Sequence, residues 1–151
     1  MSYANKDNYN FTPKEADELW VDTFGNTAKA YDALGHEIHR NKFSDQSTYG
    51  WEIDHIWPKS ELEDYGLTAD IINSKQNLQP LQWKANRIKS DCFPSFVIEY
   101  TNGTRQYCYT LEALDKLVEV LFPEPSDEQK KLIVACEFDI IGKQEESTQL
   151  N

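Results

Sequence analysis

Asp54 and His55 stand side by side in the string Gly50-Trp-Glu-Ile-Asp-His-Ile-Trp-Pro58, and together they offer a hard oxygen ligand and a titratable base. Asn77 follows His55 by 22 residues, and Asn86 follows Asn77 by nine. The carboxylate of Asp54 and the amide oxygen of Asn86 are the kind of ligand magnesium accepts, with water and substrate phosphate filling its octahedron. A histidine of ordinary pKa, about 6.5, can take a proton from water at neutral pH. Beside Asn86, Arg87 and Lys89 suit the binding of phosphates that flank a scissile one. Lys84 joins them in a stretch from Gln79 to Ser90 that holds three cations and no acid. Metal, base and phosphate clamp are what hydrolysis of a phosphodiester needs. Taken singly, each residue has an ordinary explanation. A histidine after a strand is usually a satisfied polar residue, Asn77 a turn residue, Asn86 an exposed helix residue, and Arg87 and Lys89 a solvated face. The chemistry rests on their common register.

The surrounding pattern predicts how these residues are carried. Tyr49 to Ile56 reads as a strand, with Trp51 and Ile53 on one face and Glu52 and Asp54 on the other. On a continuing strand Asp54 and His55 face opposite ways; the break at Pro58 lets the chain bring both to one site. Lys59 to Gln76 is a long polar connection with acids at Glu61, Glu63, Asp64 and Asp70, expected to be functional or to contain short helical pieces. Asn77 to Leu81 reads as a second short strand, running into a helix from about Gln82 to Ser90. Upstream, Thr12-Pro13-Lys14-Glu15 combines an N-cap, a proline at the first helical position and a capping box. The helix it starts runs from Pro13 to Phe24 and ends at Gly25-Asn26. Lys29 to Ile38 reads as two short extended pieces around Leu34-Gly35. Downstream, Ser95 to Tyr100 and Thr104 to Tyr109 flank Asn102-Gly103, a tight-hairpin signal. Leu111 to Phe122 has a helical apolar stripe, and Ser126-Asp127-Glu128-Gln129 starts another helix that reaches Ala135 or beyond. Met1 to Asn10 and the tail from Lys143 are polar and expected to be loose. The fold class expected is mixed α+β.

The segment from Trp51 to Asp91 resembles the HNH nuclease (ββα-metal) motif, in the Asp-His…Asn…Asn variety also used by the HNH domain of CRISPR effector nucleases. The ending Asn86-Arg87-Ile88-Lys89-Ser90-Asp91 resembles that family's Asn-Arg-x-Lys-x-Asp. Asp32-Ala-Leu-Gly35-His-Glu-Ile38 resembles the hairpin that often precedes the motif in small phage and bacterial members. The likeness covers residues 24–96, within one domain of 1–151, and leaves 97–151 as an extension without a family role. It implies a ββα-metal core with an N-terminal helix and a C-terminal β-hairpin plus helices. It implies that His55 is the general base, that Asp54 and Asn86 hold one divalent metal, and that Asn77 pins the loop that orients His55. The expected products carry 5′ phosphate and 3′ hydroxyl. Many relatives have a third histidine where this chain has Asn86, which favours magnesium or manganese. Others have paired C-x-x-C motifs; their absence here implies no structural zinc.

Bulk composition limits the alternatives. A chain of 151 residues can bury a modest core as one domain, and no apolar run approaches the length of a membrane span. Cys92, Cys108 and Cys136 form no C-x-x-C pair; with no secretory signal at the start, they suit a reducing cytoplasm, as small buried hydrophobes. His36-Glu37-Ile38-His39 is one residue short of the H-E-x-x-H of zinc proteases. No G-x-S-x-G and no phosphate-binding glycine loop is present. The formal charge of −11 opposes DNA binding, and residues 92–151 carry −6 of it, with 11 acids against 5 bases. Local potential matters more to binding than the total. The expectation is therefore a DNA endonuclease, with a protein partner supplying basic surface as one possibility. The alternatives are an HNH-fold binding module that acts through protein partners, and a nuclease for RNA.

Overall fold

The computed structural model describes residues 6–100 and 103–150. The opening helix, α1 (Pro13–Phe24), is set by local signals alone. The Thr12 hydroxyl accepts from the Glu15 amide at 3.1 Å, and Glu15 Oε1 accepts from the Thr12 amide at 2.8 Å. Ala16, Leu19 and Trp20 form its buried face, and Gly25, at φ 83°, ends it in a conformation that favours glycine. Next come strands β1 (Lys29–Tyr31) and β2 (Glu37–His39), paired antiparallel. Asp32 closes the turn between them. Its Oδ1 accepts from the amides of Leu34 and His36, and its Oδ2 accepts from the amide of Gln82 at 2.9 Å. One buried carboxylate thus ties this hairpin to a junction fifty residues on.

The central unit is β3 (Trp51–His55), β4 (Leu78–Gln82) and α4 (Trp83–Lys89). β3 and β4 pair antiparallel, with Asp54 opposite Gln79 and His55 opposite Leu78. Entry into β3 needs glycine at 50: a Cβ there would fall 1.7 Å from the Asp45 carbonyl oxygen. The strand and helix expected at 77–81 and 82–90 lie at 78–82 and 83–89, with Asn77 in a preceding 3₁₀ turn. Between β3 and β4 the polar connection folds into α2 (Lys59–Asp64) and α3 (Ala69–Ile72), whose Leu62 and Ile72 are fully buried. A third antiparallel pair, β5 (Ser95–Tyr100) and β6 (Gly103–Cys108), follows; the expected turn residue Asn102 lies outside the described residues. α5 (Leu111–Leu121) and α6 (Asp127–Leu150) complete a mixed α+β chain of three two-stranded ladders among the described residues. Among the described residues no helix is long and apolar enough to cross a membrane.

Packing explains what the extension does for the rest. Trp57, Leu62 and Ile72 share one cluster with Leu114, Leu117, Leu121, Phe122, Ile133, Cys136 and Ile140. The two C-terminal helices therefore form the floor on which the segment after His55 sits. Gln129 adds a hydrogen bond to the Tyr65 carbonyl at 2.8 Å.

Four expectations need correction. The tail from Lys143 is helical through Leu150, favoured by strong helix formers and a Lys143–Glu146 ion pair at i,i+3. Of the segment expected to fray, Met1–Asn5 lies outside the described residues. Lys6–Asn10, however, is tied down: Lys6 pairs with Glu15 at 3.1 Å, and the Asn8 carbonyl accepts from Asn73 at 2.7 Å. Lys89 is completely buried rather than presented on a solvated face. Finally, only Cys136 of the cysteines is a buried hydrophobe; Cys108 is half-buried and Cys92 exposed. Burial pushes the Cys136 thiol up to about 12 and raises Cys108 as well. A thiol that stays protonated is a poor nucleophile. At pH 8, Ellman's reagent should label Cys92 rapidly and the other two only after denaturation. Rapid labelling of all three would show that α5 and α6 do not pack as described.

Candidate active site

Asp54 and His55 are adjacent on β3, yet both line one cleft of about 360 Å³, together with Asn86 and Arg87 of α4. The antiparallel pairing and the immediate turn into α4 bring the helix back across the strand that carries Asp54. Pro58 and Lys59 close one side of the cleft, and Tyr9 and Phe11 of the N-terminal segment close another. The Tyr9 ring meets His55 edge-on at 5.5 Å between centroids, and Phe11 lies at 6.1 Å.

The tautomer of His55 follows from its neighbours. Asn73 donates through Nδ2 to the Asn8 carbonyl at 2.7 Å, so its Oδ1 must be the atom 2.8 Å from His55 Nε2. An amide oxygen only accepts, so Nε2 carries the proton and Nδ1 keeps its lone pair. Burial lowers the pKa of His55 below its ordinary value, and the positive charges of Lys59 and Lys89 push the same way, against the Asn73 hydrogen bond. The imidazole is therefore a neutral base at neutral pH.

Asp54 is 5% exposed and heavily engaged. Gln79, opposite it on β4, donates to Oδ2 at 2.9 Å and also to the Tyr109 hydroxyl at 3.0 Å. The Lys89 ammonium lies 3.3 Å from both carboxylate oxygens and donates to the His55 carbonyl at 3.1 Å. Burial raises the Asp54 pKa, opposed by Lys89 and Gln79. Asn86 donates through Nδ2 to Glu52 at 3.0 Å; its Oδ1 accepts no hydrogen bond among the described residues. Arg87 is exposed and pairs with the other oxygen of Glu52 at 3.0 Å. Lys84 is exposed and lies over the Trp83 ring, away from the cleft lining.

Asn77 does different work. It is fully buried; its Oδ1 accepts from the Trp57 amide, and its Nδ2 donates to the carbonyls of Trp57 and Ile72. All three bonds hold the turn after His55 to the end of α3.

Comparisons with protein-family models, curated proteins and solved structures find no match to this chain. What the site can do must therefore be argued from its own atoms. Among the described residues no three His, Cys, Asp or Glu side chains gather as a metal cluster. For a divalent cation the cleft offers the Asp54 carboxylate and Asn86 Oδ1, with the Asp91 carboxylate also in its lining. That donor set fits magnesium or manganese, which bind through one or two carboxylates and leave their other positions to water and phosphate. It lacks the sulfur or multiple imidazole ligands that a zinc site needs.

Four contributors to the site have no sequence motif behind them. Asn73 holds His55 but sits in a polar loop with no diagnostic spacing. Tyr9 and Phe11 wall the cleft from a segment that reads as a loose end. Lys59, exposed on the cleft rim, could have been suspected from its place after Pro58, where the strand breaks.

Proposed function

We propose that this chain is an HNH-type endonuclease that hydrolyses DNA phosphodiester bonds, with β3, β4 and α4 as its ββα-metal core. The observation that carries the reading is the shared cleft of Asp54, His55 and Asn86, in which Asn73 leaves His55 Nδ1 as a free base. His55 takes a proton at Nδ1 from the attacking water, and the Nε2–H bond to Asn73 fixes the ring as its charge changes. Lys59 and Arg87 line the cleft and neutralise phosphates on either side of the scissile bond; Arg87 exchanges Glu52 for phosphate to do so. Lys89 has a different part from the phosphate contact expected of it: its ammonium neutralises the buried Asp54 and braces the His55 carbonyl. Asp54 and Asn86 are the residues that would hold a magnesium or manganese ion, which when bound stabilises charge on the scissile phosphate and leaving oxygen. The leaving group is the 3′ oxygen, giving 5′ phosphate and 3′ hydroxyl ends.

The charge of −11 favours a second reading, a binding module on the same fold that acts through a protein partner with basic surface. Incubating the purified protein at low salt with supercoiled plasmid or with structured RNA, in magnesium or manganese, separates the readings. Nicked or linear plasmid that disappears with a chelator is the expected result. Cutting of RNA alone would move the substrate to RNA. Both substrates remaining intact in either metal would sink the enzyme and leave the binding module.

A further inference from the structure

α6 is apolar on two sides. Ile133, Cys136 and Ile140 are buried against α5 and the segment after His55. On the opposite side Val134, Phe138 and Ile141 are 45%, 70% and 39% exposed, at spacings of four and three residues that put them in one stripe. α5 has only one apolar face, with Leu114, Leu117 and Leu121 buried and Glu112 and Lys116 in solvent. A helix that is apolar all round is normally buried all round, and a contiguous stripe of exposed apolar residues marks a contact surface.

The charges around the stripe say what covers it. Lys130 and Lys131 lie one turn before Val134, and Glu145 and Glu146 lie one turn after Ile141. Phe138 is seven residues from Lys131 and seven from Glu145. A uniformly basic partner would meet the lysines with like charge, and an acidic one would meet the glutamates. A helix with the same pattern running the opposite way is complementary at both ends. We infer that α6 is a homodimer interface, pairing antiparallel with α6 of a second copy about a twofold axis at Phe138. Lys131 of each copy then faces Glu145 of the other, as an isologous contact requires. Ala135 and Gly142 beside the stripe allow close approach; a Cβ on Gly142 would meet nothing within 4 Å. The Lys131–Glu128 and Lys143–Glu146 pairs within the helix, the first exposed and the second partly so, are i,i+3 contacts worth only a few tenths of a kcal/mol, and they yield to the intermolecular ones.

One helix face is a small interface, so the dissociation constant expected is on the order of micromolar. Sedimentation equilibrium of the full chain at low salt, from about 1 to about 100 μM, should show a monomer–dimer equilibrium. Phe138→Glu should be monomeric throughout, with unchanged circular dichroism and melting temperature. Lys131→Glu and Glu145→Lys should each weaken the dimer about 5–10-fold. The double variant Lys131→Glu/Glu145→Lys should restore it, because the pairs are then reversed rather than lost. Three results would each overturn the inference: a wild-type chain that stays monomeric, leaving the stripe to some other molecule; a Phe138→Glu protein that still dimerises; or a double variant no tighter than the single ones.

Discussion

Replacing His55 by alanine should reduce magnesium-dependent plasmid cleavage by about 10²–10⁴, the usual contribution of a general base, while circular dichroism and melting temperature stay close to wild type. The fold survives because His55 is the last residue of β3 and lies open to the cleft, where it contributes one side-chain hydrogen bond, to Asn73. The chemistry does not survive, because, of the other bases that line the cleft, Asp54 is engaged by Gln79 and Lys89, and no hydrogen bond orients Asp91 among the described residues. The pH profile gives an independent check. Burial with Lys59 and Lys89 nearby depresses the His55 pKa below 6.5, so the neutral, competent form persists as pH falls past that value. Activity should hold from pH 8 to about 6.5 and fall only below it. An acid limb already falling above pH 7, or equal cutting by the alanine variant, would remove His55 from the role of base.

Lys89→Met should cost about 3–5 kcal/mol of folding stability, the usual penalty for removing one partner of a buried ion pair. The Lys89 side chain has 0% exposure and Asp54 only 6%, so water replaces the lost ammonium poorly. The His55 carbonyl loses a donor at the same time. For a domain of this size the change lowers the melting temperature by about 10 °C. Asp54→Asn combined with Lys89→Met should cost clearly less than Lys89→Met alone, because no uncompensated charge is left behind. Urea unfolding of wild type and both variants measures this. A loss under about 1 kcal/mol for Lys89→Met would mean the pair is solvated and the lysine belongs to the surface after all.

The contrast between α1 and Lys89 shows what can be read from the chain. Thr12, Pro13, Glu15 and Gly25 determine α1 through contacts within a few residues, so its bounds are legible. The turn chemistry of β1 and β2 and the strand, helix order of β4 and α4 are local too, and the expected bounds of β4 and α4 differ from the observed ones by one residue. Lys89 reads as a solvated cation three residues after Asn86, because its true partner, Asp54, lies 35 residues earlier on another element. Asn73 and the strap from Lys6 to Phe11 are invisible for the same reason: their value comes from contacts across the fold, such as that from Asn73 to Asn8, 65 residues apart. In the helix beginning at Asp127, the first turns are legible from the cap, whereas its middle rests on Cys136 and Ile140 packed into a core shared with α5.

The buried ladder of Lys89, Asp54, Gln79 and Tyr109 bears on how such a sequence could decay over evolutionary time. Asp54 and Asn77 are the most obvious signs of catalysis in the sequence, yet both are braced into the interior, and their loss would also destabilise the fold. A lineage released from selection for cleavage would therefore keep them. Drift would appear first at His55 and Asn86, whose side chains the interior hardly needs. An intact pair at those two positions is thus better testimony to a working enzyme than the more deeply set carboxylate beside them.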